Sequence, residues 1–535
     1  MYYLRQDVKA EPLIWRWYAW PHLISPVTAG CNISERHLRI MMSYIANPKI
    51  HEQAVKDPKM IGGPFIDLGG QQVEEVKKLI SYTKEKCKTL IALATQYKEF
   101  DKKLLAEGKG GSLEFLYPQI PEMLKGMIEL VYDLNSQPSI RLIESLIYKS
   151  YYDDSDQQIA LGIVTEDFRK FVFSTPRIYQ EDEVYLDASF SDRRLDKLFR
   201  MKQEPGDFDE IANTFQISES KKNLFYSFFT KNKPLISEDN NYFGKGVRIR
   251  YFGHACILIE TKDITILIDP VISYDIKNEI PRYSFKDLPT NIDYIIITHN
   301  HLDHVMFEAI LQLRHKTSNI IFSSNNDGCL ADPSLKLVLQ NIGFSNLIEL
   351  KEFENVLLSD GEIIALPFFG EHCDLNINSK RSYCVSLKGK KFLFAADSNN
   401  LDPYMYKHIA KYIGPIEIIF IGMECEGAPL TWTYGPLLTH PLSRVNDNSR
   451  TLSGSNCEKA WTIVEDLKCK YAYIYAMGQE PWLNHVMALN YSTESKQIIE
   501  SDKFVERCKN NGIESERLFG KKLWEFKNDN IETGA

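Results

Sequence analysis

The chain has 535 residues, too many for one ordinary hydrophobic core, so two or more domains are expected. Hydrophobic residues make up 44% and charged residues 25%, the balance of a soluble globular protein rather than a disordered or membrane-embedded one. A formal net charge of -9, spread along the chain, argues against a general nucleic-acid binder, which needs a basic face.

The N-terminal stretch Met1 to Asp7 leads into charged residues rather than an apolar run, and no segment approaches the roughly 20 apolar residues of a membrane span. No signal peptide and no membrane partner are therefore expected. Ten scattered Cys contain no Cys-x-x-Cys pair and suggest no disulfide framework. These features together predict a cytoplasmic protein.

The first half, residues 1–240, reads as a mixed α+β domain. Val73, Val76, Ile80, Thr83, Cys87, Leu90, Ala94 and Tyr97 recur at steps of three and four, predicting one long amphipathic helix ended near Gly108. Lys170–Phe173 and Glu183–Leu186 read as short strands. His22, His37 and His51 are taken as ordinary polar residues, and no ligand cluster precedes residue 245. The polar stretch Asn232 to Asn241, with Pro234 and then Gly244 and Gly246, reads as the boundary. The N-terminal domain is accordingly expected to serve dimerisation and partner docking, and to supply no metal ligand.

The second half, residues 246–535, holds nine of the twelve His. It opens with the apolar run Val247–His254. A hairpin follows, formed by Cys256–Glu260, a turn at Thr261–Asp263, and Ile264–Ile268 ending in Asp269-Pro270. Further apolar runs at Ile320–Phe322, Glu362–Leu366, Lys391–Phe394, Ile416–Phe420 and Tyr471–Tyr475 alternate with helical stretches such as Val305–Leu313. This mixture suggests two sheets packed face to face with helices outside.

After the apolar Tyr294–Ile297 comes Thr298-His299-Asn300-His301-Leu302-Asp303-His304, which places three imidazoles and a carboxylate within six residues. A strand that ends in such a cluster frees its ligands to converge, and the spacing suits two neighbouring cations: His299 and His301 on one, Asp303 and His304 on the other. Later strand exits carry Gly370-Glu371-His372, Ala396-Asp397-Ser398, Met423-Glu424-Cys425 and Asn484-His485. Asp269 is read as an acceptor that orients a ligand imidazole. His254 is either a buried hydrogen-bonded imidazole or a residue that approaches the site. From the residues alone, either His372 or Glu371 completes the first metal. Two His and one carboxylate would suit iron and oxygen chemistry better than structural zinc.

In this order the hairpin ending Ile268-Asp269-Pro270, the His-x-His-x-Asp-His run and Asp397 resemble the metallo-β-lactamase superfamily, whose fold is an αββα sandwich. Together with the preceding domain and the Gly-Glu-His loop, the whole chain resembles the diiron β-hydroxylase family of chloramphenicol biosynthesis. That resemblance implies a non-heme diiron oxygenase with two iron ions, O2 as co-substrate and an external electron donor. The substrate would be an aminoacyl group on a nonribosomal peptide synthetase carrier domain, hydroxylated at its β-carbon, and the enzyme a homodimer. It also implies His299, His301, Asp303, His304, Glu371, Asp397 and His485 as ligands, with Asp397 between the metals and His440 a rival to His485. Glu371, Asp397 and Glu424 are the expected catalytic carboxylates. The alternative is a dinuclear zinc hydrolase of an ester, amide or phosphoester.

Overall fold

The computed structural model describes residues 1–234, 240–527 and 530–534; positions 235–239 of the expected boundary segment lie outside these. The second half folds as two facing sheets. One runs, in spatial order, Leu347–Leu350, Thr317–Ser323, Ile292–Ile296, Thr265–Ile268, Cys256–Glu260, Val247–Gly253, Lys522–Lys527 and Asn530–Gly534. The other runs Asn355–Leu357, Gly361–Leu366, Ser382–Leu387, Lys390–Phe394, Ile418–Gly422, Tyr471–Tyr475 and Glu514–Arg517.

Strand periodicity explains the layering. Ile257, Ile259, Ile266 and Ile268 point inward to meet Phe392, Phe394, Phe420 and Tyr473 of the facing sheet. The residues between them, Leu258 and Leu267 on one sheet and Leu393 and Ile419 on the other, face outward and are buried as well. Outside the second sheet lie the helices Tyr404–Ile413, Cys457–Asp466 and Lys496–Asn510. This is the αββα sandwich.

Outside the first sheet, the helix Phe307–Leu313 shares its cover with the N-terminal half. One buried cluster joins Val8, Ile14, Trp17, Tyr18 and Phe190 to Leu258, Leu267, Ile295 and Phe307, and extends to Trp482 and Val486. The first half is built on a four-stranded antiparallel sheet (Trp17–Tyr18, Val8–Ile14, Gln157–Ile163, Val184–Asp187) with helices around it. The two halves therefore share a core.

Two local expectations change. The helical run from Val73 is two helices, Val73–Lys86 and Lys88–Glu107, separated at Cys87, whose φ of -95° and ψ of 14° leave the helical region. Lys170–Phe173 is not a strand: Val172 N donates to His485 O at 2.9 Å, and the Phe173 ring packs on Trp20 and Trp432. Its apolar residues face a cavity wall instead of a sheet neighbour. Among the described residues no helix is long and apolar enough to cross a membrane.

Candidate dinuclear metal centre

The polar residues gather at one rim of the sandwich because the strands that carry them run in the same sense. Thr265–Ile268 is parallel to Ile292–Ile296, and Lys390–Phe394 is parallel to Ile418–Gly422, so Asp269, the His-rich run, Asp397 and Glu424 all leave at carboxyl ends. The backbone there is held in unusual shapes: His254, Asp269, Glu371 and Ala396 have φ of 50°, 42°, 66° and 48°. Non-glycine residues in the left-handed region cost energy and persist where surrounding structure over-determines them, a pattern concentrated at functional sites.

Hydrogen bonds fix the state of each imidazole. Asp269 accepts Thr298 N at 2.8 Å and the Thr298 hydroxyl at 2.6 Å, and lies 2.8 Å from His304 Nδ1. With its Nδ1–H spent on Asp269, His304 points Nε2 inward, 3.1 Å from Asp397 and 3.5 Å from Asp303. Since the Thr298 hydroxyl donates to Asp269, it can only accept from His299 Nδ1, 3.1 Å away, and this leaves His299 Nε2 as a free acceptor. His301 meets the Tyr434 hydroxyl through Nε2 at 3.2 Å and Glu371 through Nδ1 at 2.7 Å.

Three groups of atoms result, each within 4.8 Å: His299, His301 and Glu371; His299, His304 and Asp397; and His254, Asp303 and His304. His299 Nε2, His304 Nε2 and Asp397 Oδ1 are buried and without hydrogen-bond partners. Buried polar atoms are rarely left unpaired, and several orphaned acceptors aimed at one point are what cations would satisfy. Gly422 keeps this space open, because a Cβ there would lie 2.4 Å from Asp397 Oδ1. The donor set fits two metal ions.

Of the expected ligands, six converge: His299, His301, Asp303, His304, Glu371 and Asp397. The seventh, His485, is a correction. It lies against the Arg169 guanidinium and 4.0 Å from Glu308, and belongs to none of the three groups. Its short helix, Asn484–Met487, accepts Val172 N on the His485 carbonyl, and the imidazole packs among Tyr18, Arg169 and Glu308. The rival His440 is exposed, with Thr439 as its neighbour, and does not reach the site either.

The imidazole that does meet Asp303 is His254, at 3.0 Å through Nε2. Its Nδ1 faces Gly478 N at 3.2 Å and must accept that N–H, which puts the ring proton on Nε2 and makes His254 a donor to Asp303. The Gly253-His254 pair at a strand end was its only signal in the sequence. His372 sits 2.6 Å from Glu371 through Nδ1; its Nε2 is buried without a hydrogen-bond partner, but the residue belongs to none of the three groups. Glu371 is thus the residue of this loop that joins His299 and His301.

Electrostatics follow from burial. Desolvation, then His304 and the other imidazoles, holds His299 well below the ordinary histidine range, so its imidazole is kept neutral. Burial pushes the Glu424 carboxyl well above the usual carboxylate range, and Asp397, Asp303 and Glu371 add to the effect. Glu424 lies with His301, Asp303, Glu371 and Asp397 around a cavity of about 470 Å³. The N-terminal half supplies part of the wall, including Trp20, Phe65 and Phe173, which no sequence signal indicated.

Comparison with known proteins fits this geometry. Residues 3–234 match the model of the diiron non-heme beta-hydroxylase N-terminal domain, and residues 248–361 that of a beta-lactamase superfamily domain. The chain is 36% identical over 527 residues to 4-amino-L-phenylalanyl-[CmlP-peptidyl-carrier-protein] 3-hydroxylase of Streptomyces venezuelae, covering 97% of this chain and 98% of that protein. The crystal structure of CmlA, a diiron beta-hydroxylase from the same organism, superposes with a TM-score of 0.91 at 34% identity, over 98% of this chain and 99% of that one. A mutant of the CmlA beta-hydroxylase gives 0.90 over 98% and 100%, also at 34% identity.

Proposed function

Since this chain belongs to the diiron non-heme β-hydroxylase family, we propose that it hydroxylates the β-carbon of an aminoacyl group carried as a thioester by a nonribosomal peptide synthetase carrier domain. The observation that carries this reading is Glu371 beside His299 and His301 at the floor of a cavity walled by both halves of the chain. Two His and one carboxylate with open positions suit oxygen-activating iron, whereas a third imidazole would suit a zinc hydrolase.

In this reading His299, His301 and Glu371 would hold one iron and Asp303 and His304 the other, with Asp397, which groups with His299 and His304, as a further ligand. The iron pair supplies oxidation of a C–H bond with O2 and electrons from an external donor. The protein's own residues do the rest. Asp269 and Thr298 fix the tautomers of His304 and His299, and His254 holds Asp303 in place. Trp20, Phe65, Phe173 and Leu452 line the cavity, receive the aminoacyl side chain and exclude water. Glu424, its carboxyl favoured in the protonated form, can hold a proton facing the substrate. A cytoplasmic setting, where reduced electron donors are at hand, accompanies the proposal.

The test uses iron-loaded protein, a chemical reductant and aminoacyl-loaded carrier domains, read by mass spectrometry for gain of one oxygen atom from isotopically labelled O2. Glu371→Ala should lose iron and turnover, while His372→Ala should keep both metals. The reverse result, or zinc in iron-rich growth, would instead identify a hydrolase.

A further inference from the structure

Next to the metal cavity lies a second one of about 580 Å³, and the two share the wall formed by Gly62, Gly63, Phe65, Phe173, Pro429 and Trp432. The outer cavity is lined by Arg36, a side chain whose surroundings leave it incomplete. Its Nη2 donates to Trp432 O at 2.5 Å and Thr433 O at 3.0 Å, but its Nη1 is buried without any partner. No carboxylate pairs with it among the described residues, because the neighbouring Glu35 is taken by Arg39. The residue is 8% exposed. A buried guanidinium with neither acid nor full hydrogen bonding is costly, and an acceptor oxygen entering the cavity would relieve that cost. Burial already pulls its pKa down to about 10.

The partition between the cavities is thin. At Gly62 and Gly63 it is bare backbone, and a Cβ on Gly63 would press on the Phe65 ring at 2.9 Å. The Trp432 indole N–H donates to Gly62 O at 3.1 Å, which holds the strip in place. The strip between the cavities is thus thin and fixed, and the outer cavity beyond it is lined by a guanidinium whose Nη1 is unpaired. A third cavity, which shares Gly62, Gly63 and Phe65 with these two, is lined by Arg169, but that guanidinium is paired with Glu308 at 2.7 and 2.9 Å.

We infer that the outer cavity is the corridor for the pantetheine arm of the carrier, and that Arg36 Nη1 donates to an acceptor oxygen on it. The inference rests on the carrier-bound reading above. It commits to an occupant that matches the corridor: a slender chain with two amide carbonyls, a hydroxyl and a terminal phosphodiester. Arg36 is a positioning residue here, holding the arm so that the aminoacyl end projects past Gly62 and Gly63 towards the metal ligands.

The experiment titrates the iron-loaded, full-length enzyme with N,S-diacetylcysteamine, S-acetylpantetheine and S-acetyl-4′-phosphopantetheine, read by quenching of tryptophan fluorescence. One charge-assisted hydrogen bond should favour a longer probe over the cysteamine stub on the order of tenfold. A gain already present with pantetheine assigns an amide or hydroxyl oxygen to Arg36; a gain that needs the phosphate assigns the phosphodiester. Arg36→Met should erase the gain and leave the stub's affinity unchanged. Thr431→Trp, which obstructs the outer cavity from an exposed position and leaves Arg36 in place, should do the same even if Arg36→Met folds poorly. Retention of the gain in both variants, or equal binding of all three probes by the unaltered enzyme, overturns the inference. Turnover of loaded carrier by the unaltered enzyme, measured in parallel, bears on the reaction alone, so the two failures are distinguishable.

Discussion

The chain buries two clusters of imidazole and carboxylate, one around Glu308 and one around Asp397, and they behave in opposite ways. Around Glu308, the hydroxyls of Tyr18 and Tyr274 donate at 2.8 and 2.6 Å, and Arg169 closes a two-pronged pair with His485 beside it. Glu11 is likewise met by Arg177 at 3.0 Å and Lys9 at 3.6 Å. This cluster contains its own cations. Around Asp397, by contrast, Asp303, Glu371 and Asp397 have no Lys or Arg within ion-pair distance among the described residues, and imidazole nitrogens stand free between them. Both sets contain His and acid, but only the one short of positive charge needs an external ion. The residue types do not tell a metal site from a salt-bridge network; the missing cation does.

This contrast can be broken experimentally. The largest effect should come from Asp397→Ala, which removes the carboxylate that groups with His299 and His304, the two imidazoles common to neighbouring ligand groups: iron per chain, by elemental analysis, should fall by at least one, and turnover should vanish. Unchanged stoichiometry would refute the ligand set. Arg169→Met should strand Glu308 without its cation and cost about 3–5 kcal/mol in denaturant unfolding, the usual penalty for breaking a buried pair. If stability holds, the self-contained character of that cluster is disproved. His254→Ala removes only the donor that orients Asp303 and should weaken binding of one metal roughly 10- to 100-fold in a chelator competition. A complete loss of that metal would mean that His254 is itself a ligand. Smallest of all, His485→Gln should leave metal content unaltered and shift stability by about 1 kcal/mol, the scale of one buried hydrogen bond; loss of an iron would return His485 to the ligand set.

Much of the site is legible in the amino-acid sequence because the fold places it at strand ends. The run from His299 to His304, and then Glu371, Asp397 and Glu424, each follow an apolar stretch, and the paired inward and outward faces of Ile257–Ile259 and Phe392–Phe394 make those stretches recognisable as strands. His485 also follows a strand, yet its direction depends on Arg169, more than 300 residues away in sequence. Sequence pattern carries no information of that range. The same limit hides Trp20 and Phe173 as cavity walls: nothing in the sequence sets either apart from other aromatics, and only the packing of one half on the other brings them to the metal centre. The two helices around Cys87 share one apolar stripe, and periodicity alone cannot register a kink that preserves it.

The core shared by the two halves also bears on how the chain is made. A ribosome releases residues in order, and Val8, Ile14, Trp17 and Phe190 emerge long before Leu258, Ile295 and Phe307, against which they pack. Trp482 and Val486 close the same cluster later still, and the strand Lys522–Lys527, partner of Val247–Gly253, comes almost at the end. At about 5–20 residues per second, a nascent first half waits some tens of seconds with its apolar face uncovered. Such an interval invites chaperone engagement, and it makes added chaperones, or a low temperature that weakens apolar association, the favourable regime for recovering intact protein.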